Sequence, residues 1–504
     1  MRTPASVLCL AACVCLLAAD GRAEEAAYRF EVSYATLFGG SEYDDLREVI
    51  LSADGSVLLG GQTLSGDLPV TPGVVQAKYG GEPAGTGHTG LYGGDCCLAR
   101  LSADGAKVLF ATYFGGSKQE RDVYGMALDR KGNLVITTTT RSDDLLTTDE
   151  AFQRCYGGGA ADIAVAKLSP DGKDLLWCTY LGGTADETPR GGLGLDKEDN
   201  VYVVGTTSSP NFPTTDGVLQ PRLKGKFDAV VVKLKADGSG LAWSTLLGGS
   251  DWDGLMGVRI DAAGNVHVAG HTQSADFPVT AGAAQARLGG ASDCFLAALS
   301  PDARRLLYAT FLGGSGNEFA EHRPWLFADG CLMLTGVTGS ADFPTTPGAP
   351  ARTLKGKTDG FVAKLSADGK RFLFSTFLGG AGGEFFLMPT PDARGNLFVV
   401  GQTSSPDFPV TPGCLQPKYG GGASDAVLAV LSRDGSRVLY ATYLGGSGED
   451  LARSMALGPG GEVYVVGRTD SKDFPTTKGA AQAALKGGPD AFVVKLAPKK
   501  TGPP

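Results

Sequence analysis

Seven acidic residues recur at one fixed place in this sequence. Asp44, Glu120, Glu187, Asp253, Glu318, Glu384 and Asp450 each stand four residues after the second glycine of a Gly-Gly pair. Carboxylates crowded together repel one another, which is relieved by a cation or by raised pKa values. Calcium takes several carboxylate and carbonyl oxygens in flexible geometry, so it is the cofactor such a ring would suit. The alternative is architectural: an acid in every repeat accepts backbone N–H groups of a Gly-rich loop or pairs with the next repeat. A second sevenfold set is Asp95, Asp162, Asp228, Asp293, Asp359, Asp425 and Asp490. Each opens an apolar run and reads as a cap on the loop before it.

Positions that differ between repeats are better placed to give specificity. One such set is Gln62, Thr139, Thr206, His271, Val337, Gln402 and Arg468, a mixture of donors and acceptors able to hold a polar ligand. A Gly-rich insertion carrying His88 and Tyr92 breaks the repeat and is a further contact candidate. The candidate ligand-binding residues are therefore Gln62, His88, Tyr92, His271, Gln402 and Arg468. Catalytic candidates are sparse. His267 and His271 lie along one strand, where i and i+4 are about 13 Å apart and cannot share an ion. No nucleophile elbow, phosphate loop or dinucleotide fingerprint occurs in a suitable context. Abundant loop carboxylates keep a glycan-active enzyme as the alternative function.

The elements that position these residues repeat on a clock. Gly-Gly pairs begin at Gly39, Gly115, Gly182, Gly248, Gly313, Gly379 and Gly445. Each follows a strand-like run such as Leu175–Leu181 or Val438–Leu444. Three further segments recur: one such as Val123–Asp129, one after a turn such as Val266–Gly270 or Val463–Gly467, and one such as Asp228–Leu234 or Asp490–Leu496. Gly-Asn and Asp-Gly between β-rich runs are hairpin turns, because these residues tolerate positive φ. Each unit is four antiparallel strands, and seven units make an all-β, seven-bladed β-propeller. The last unit lacks its outer strand, and Val32–Leu37 is the spare one. The N-terminal strand is therefore expected to complete the last blade and remove both free edges.

Several phrases carry a family resemblance. Leu444-Gly445-Gly446-Ser447-Gly448, Gly395 to Gly401 and Asp342-Phe343-Pro344-Thr345-Thr346-Pro347-Gly348 resemble the bacterial SBBP repeat, a seven-bladed propeller module. The similarity covers nearly all of the mature chain, with the second repeat degraded at Asp144–Thr148. It implies an exported bacterial propeller and no settled activity. If successive strands run outward from the axis, the long Gly-Gly-Ser and Asp-Phe-Pro-Thr-Thr loops share one face, the expected binding face. The aromatic-Pro pairs, such as Phe212-Pro213 and Phe408-Pro409, read as plugs between blades. The threonines closing these motifs, such as Thr215 and Thr411, read as turn caps.

Composition bounds the rest. Gly numbers 75 of 504 residues without a G-X-Y period, which excludes collagen. An apolar fraction of 42% with 20% charged excludes most disordered chains. Net charge is −9 and no Lys/Arg cluster occurs, so nucleic acid is not an expected partner. Arg2, an apolar run over Val7–Ala19 and Gly21-Arg22-Ala23 read as a signal peptide over 1–23. Leu10–Cys13 also matches a lipobox, although the apolar run continues past it. The propeller is placed at 24–498 with a tail at 499–504. Outside the signal remain seven cysteines with no disulfide framework, read as small buried apolar residues. The combined expectation is an exported, monomeric, noncatalytic scaffold without a transmembrane segment, binding a polar polymer such as a glycan, or a protein, at the cell envelope. A purely structural surface protein is the second alternative.

Overall fold

Strand length is set by the spacing of turn residues. In the third repeat Val201–Thr207, Asp228–Leu234 and Leu241–Leu247 are each seven residues long. The turn before the outer strand contains Gly238 at φ +71°, a conformation that glycine adopts without Cβ strain. Asp228–Leu234 is buried on both faces along almost its whole length, which explains its unbroken apolar run. A computed structural model describes residues 28–82 and 93–499. The proposed signal peptide and the insertion residues His88 and Tyr92 lie outside the described residues.

Seven antiparallel sheets form the seven blades, each ordered from an innermost to an outermost strand. The inner strands of blades one to seven begin at Asp44, Glu120, Glu187, Asp253, Glu318, Glu384 and Asp450. Phe30–Phe38 pairs with Asp490–Pro498, from Phe30 opposite Pro498 to Phe38 opposite Ala491. It is the outer strand of blade seven, so the N-terminal segment closes the ring as expected. Apolar clusters fill the spaces between blades: Ile163 and Val165 of blade two meet Val201, Val203, Val230 and Val232 of blade three. Phe212 lies in that cluster and Phe408 in the equivalent one between blades five and six, which makes them plugs between blades.

Thr215 and Thr411 have a different role from the one expected. Thr215 N donates to the Ser244 carbonyl, and Ser244 N donates back to Thr215 Oγ1, both at 3.1 Å. Thr411 makes the same exchange with Ala441. The long loops therefore cover the outer strand, satisfying an edge that would otherwise invite pairing with another chain. Of the seven cysteines, Cys96, Cys97, Cys178, Cys294 and Cys331 are buried, Cys414 is half-buried and Cys155 is exposed; all are free thiols. No helix among the described residues is long and apolar enough to cross a membrane.

Candidate functional site

The inner strands bulge toward the axis. Their register slips between Leu46 and Glu48, Leu255 and Gly257, Phe386 and Met388, and Ala452 and Ser454. Arg47, Met256, Leu387 and Arg453 are the extra residues, and a bulge of this kind bends the strand and re-aims a side chain. Opposite each bulge sits a glycine, because a Cβ on Gly467 would lie 1.8 Å from the Leu451 carbonyl oxygen. Blade two has Thr138 there instead. Its inner strand consequently sets three residues, Asp122 to Tyr124, against Thr138, and Asp122 takes φ +60°. In blades three and five the inner strand breaks, at Pro189–Gly192 and Ala320–Pro324.

These departures build a buried charged cluster on the axis. Arg47 contacts Glu321 at 2.9 Å and Asp122 at 3.5 Å, and lies 4.8 Å from the Tyr124 ring centre. Arg323 pairs with Glu48 at 2.8 Å and Arg453 with Asp45 at 3.1 Å. Burial alone would raise Glu321, yet the Arg47 and Arg453 guanidiniums outweigh it and hold its carboxyl down at about 2. Arg259 is pushed down to about 9 by burial and by neighbouring Arg323; its Nε donates to the Pro324 carbonyl. Asp45 Oδ1, Arg47 Nε, Glu48 Oε1, Asp122 Oδ1, His322 Nε2 and Arg323 Nε are buried with no partner in the protein. Each costs about 1–3 kcal/mol if left unsatisfied.

Above this cluster lies the channel mouth. Gln62, His271, Gln402 and Arg468 are each the penultimate residue of a second strand, facing Asp45, Gly254, Phe385 and Leu451 of the inner strands. The structure thus gathers the described candidate binding residues on one ring. Half-exposed Trp252 stacks on His271 at 4.3 Å, and Phe319 lies 4.5 Å from His271 and 5.8 Å from Phe385. Next around the ring, in blade seven, Arg468 pairs with Glu449 at 2.7 Å and lies 5.6 Å from the Tyr43 ring centre. A cleft of about 140 Å³ lined by Arg121, Thr139, Arg141, Asp186 and Thr188 continues the polar wall. Gln62 Oε1, Thr139 Oγ1, Thr206 Oγ1, His271 Nδ1 and Arg468 Nε are buried without partners. Burial, with Arg190 nearby, pushes His271 down to about 3, so its ring is neutral at any physiological pH.

The first acidic set is engaged within each blade. Glu187 accepts from Gly183 N at 2.9 Å and Thr207 Oγ1 at 2.5 Å, tying the loop, the inner strand and the second strand together. Glu318 and Glu384 are held in the same way. Asp228 accepts from Lys224 N and Gly225 N, and Asp293 from Gly289 N and Gly290 N, so the third-strand set caps the preceding loop as expected. Among the described residues no group of three or more His, Cys, Asp or Glu side chains is placed to hold a metal ion. The contacts seen are those of the architectural alternative, tying each Gly-rich loop to its own blade.

The two sets do meet between blades. A Cβ on Gly182 would touch both Asp162 Oδ1, at 2.5 Å, and Glu187 Oε2, at 2.7 Å. Asp44, Asp95 and Asp162 are pushed up to about 7, and Asp253, Asp425 and Asp490 to about 6, chiefly by burial. Their hydrogen-bond donors oppose the shift and neighbouring carboxylates add to it. The folded state therefore holds protons that the unfolded chain has released, and stability falls as pH rises through 6 to 7. His267, His271 and His322 are lowered by burial and act in the opposite sense below about pH 6.5. The urea midpoint should therefore rise from pH 8 to pH 6, and Asp162→Asn should flatten that slope. A midpoint that falls over this interval would contradict the reading.

Residues 176–213 match the family model described as SBBP, beta-propeller repeat. One SBBP-type repeat is thus matched within a seven-bladed propeller. The matched stretch runs from the outer strand of blade two to Pro213, a little over half of one Gly-Gly period. No curated protein matches the chain. Among solved structures, it is similar to a protein of unknown function from Dyadobacter fermentans DSM 18053, with 11% identity, TM-score 0.40 and coverage of 93% of this chain and 99% of that one. It is also similar to BamB from Moraxella catarrhalis, with 10% identity, TM-score 0.37 and coverage of 91% and 99%. A europium-containing methanol dehydrogenase gives 11% identity, TM-score 0.39 and coverage of 93% of each chain.

Sequence reasoning missed Arg47, Glu48, Asp122, Arg190, Trp252, Glu321, Arg323 and Arg453. Two signals were available. Pro189 and Pro324 interrupt the inner-strand positions of repeats three and five, and Thr138 replaces a glycine present in the other repeats.

Proposed function

We propose that this SBBP-repeat propeller is an exported, noncatalytic binding protein of the cell envelope that takes a polar ligand, in the first instance a glycan, at its axial mouth. The observation that carries this reading is the ring of blade-specific side chains with unpartnered polar atoms, set between an aromatic and a charged wall. An architectural ring would repeat one residue type; this one carries five types in seven blades. Aromatic faces suit the C–H face of a sugar ring, and buried polar atoms suit its hydroxyl edge.

The test is titration calorimetry of the mature protein with a panel of soluble oligosaccharides. Saturable binding is expected, weakened about tenfold or more by Trp252→Ala, a loss in the range of a central aromatic contact. Leu176→Ala, on the exposed outer strand of blade two, should leave it unchanged. Release of reducing ends during the titration would make the protein an enzyme, and absence of saturable binding across the panel would leave the structural alternative.

A further inference from the structure

Arg190 is the guanidinium at the mouth with no assigned work. It sits in the break of the blade-three inner strand, between Pro189 and Gly191, and is half-buried. The break lies against the axis: a Cβ on Gly191 would meet the Met256 backbone at 2.0 Å, and one on Gly192 would lie 3.7 Å from Arg323 Nη1. Thr188, two residues before it, pairs with Thr206, and a Cβ on Gly254 would touch both the Trp252 ring, at 2.4 Å, and Thr206 Oγ1, at 2.7 Å, which sets the break beside the aromatic wall. Arg468, by contrast, is held by Glu449, and Arg47, Arg323 and Arg453 by the acids of the axis. Among the described residues no carboxylate or carbonyl engages the Arg190 guanidinium. A guanidinium offers a planar fork of donors that matches a carboxylate or sulfate, and a half-buried one gains most from such a partner.

We infer that the ligand of this mouth is an acidic saccharide, whose sugar ring lies on the wall formed by Trp252, Phe319 and Phe385 and whose anionic group is taken by Arg190. This rests on the mouth being the binding site and adds the charge of the ligand. The pairing is with an anion fixed to a sugar ring, because a free anion would leave the aromatic wall unused. A uronic acid and a sulfated sugar present the same chemistry.

Calorimetry with the full mature chain separates the two claims. The probes are tri-galacturonic acid, its fully methyl-esterified form, a sulfated heparin disaccharide and sodium sulfate. The acid is expected to bind at least about tenfold more tightly than the ester, the range of one hydrogen bond to a charged group. Arg190→Met should abolish that difference while leaving the affinity for the ester unchanged, and Arg190→Lys should retain part of it. The urea midpoint of Arg190→Met should match the parent, since no ion pair is broken. Preference for either the uronate or the sulfated disaccharide supports the inference; binding of sodium sulfate alone overturns it. Equal binding of acid and ester, or a preference that survives Arg190→Met, overturns the inference and leaves the mouth as the binding site if Trp252→Ala weakens both. No binding of any saccharide overturns both readings.

Discussion

Replacing Arg47 with Met is expected to cost about 3–5 kcal/mol of stability, the range for removing one partner of a buried ion pair. Met keeps much of the aliphatic volume over Tyr124 but takes away the donors to Glu321 and Asp122. Those carboxylates stay buried, and the nearest remaining guanidinium on Glu321 is Arg453 at 4.0 Å. The loss therefore comes mainly from uncompensated charge, not from packing. Adding Glu321→Gln to the same chain should recover a substantial part of it, because the stranded charge is then gone. Urea unfolding of the two single variants and the double variant would measure this. Additive effects, or a cost for Arg47→Met below about 1 kcal/mol, would mean that the axial cluster is solvated and not a structural unit.

Deleting residues 28–38 should have a larger effect still. The closing strand buries Tyr34 and Phe38 against blades seven and one, Leu37 between blades six and seven, and Phe30 against Tyr440 and Phe398. At roughly 1.5–3 kcal/mol per fully buried large side chain, the loss is of the order of a whole domain's stability, about 5–15 kcal/mol. It also bares the Asp490–Pro498 edge, a template for pairing with another chain. The expected outcome is loss of the cooperative thermal transition together with self-association in sedimentation. A synthetic peptide spanning residues 28–40, added in excess, should restore a cooperative melt. Retention of the parent melting temperature in the deleted chain would show that the ring holds without its clasp.

The fold was legible because the repeat states it seven times. Leu175–Leu181, Val438–Leu444 and Asp228–Leu234 have the bounds expected from turn spacing alone. The closing strand runs only two residues earlier and one later than expected, and its partner was deducible by counting strands. The ring of variable positions was legible for a related reason: equivalent positions in a cyclic array must share a ring. What could not be read was the axis. Alternation assigns strand residues to two faces, but a bulge adds one residue and inverts that assignment locally. Arg47 and Arg453 therefore looked like ordinary members of an inner strand. The acids left two readings open for a different reason. Asp44 and its equivalents do stand at the start of the inner strands, yet their oxygens turn back into Gly-rich loops, and spacing carries no record of that direction.

The ties across the axis make the seven blades a set and not a series. In stacked repeats each unit touches only its neighbours, so stability is a sum of local terms and units can be gained or lost. Here blade one is bonded to blade five, which is not adjacent to it, through Arg47 with Glu321 and Glu48 with Arg323. Duplicating or losing one blade would change which residues confront each other over the centre and leave buried ions without counterions. Exchange of blades by recombination is penalised in the same way, however alike their rims. The number seven is guarded from the inside.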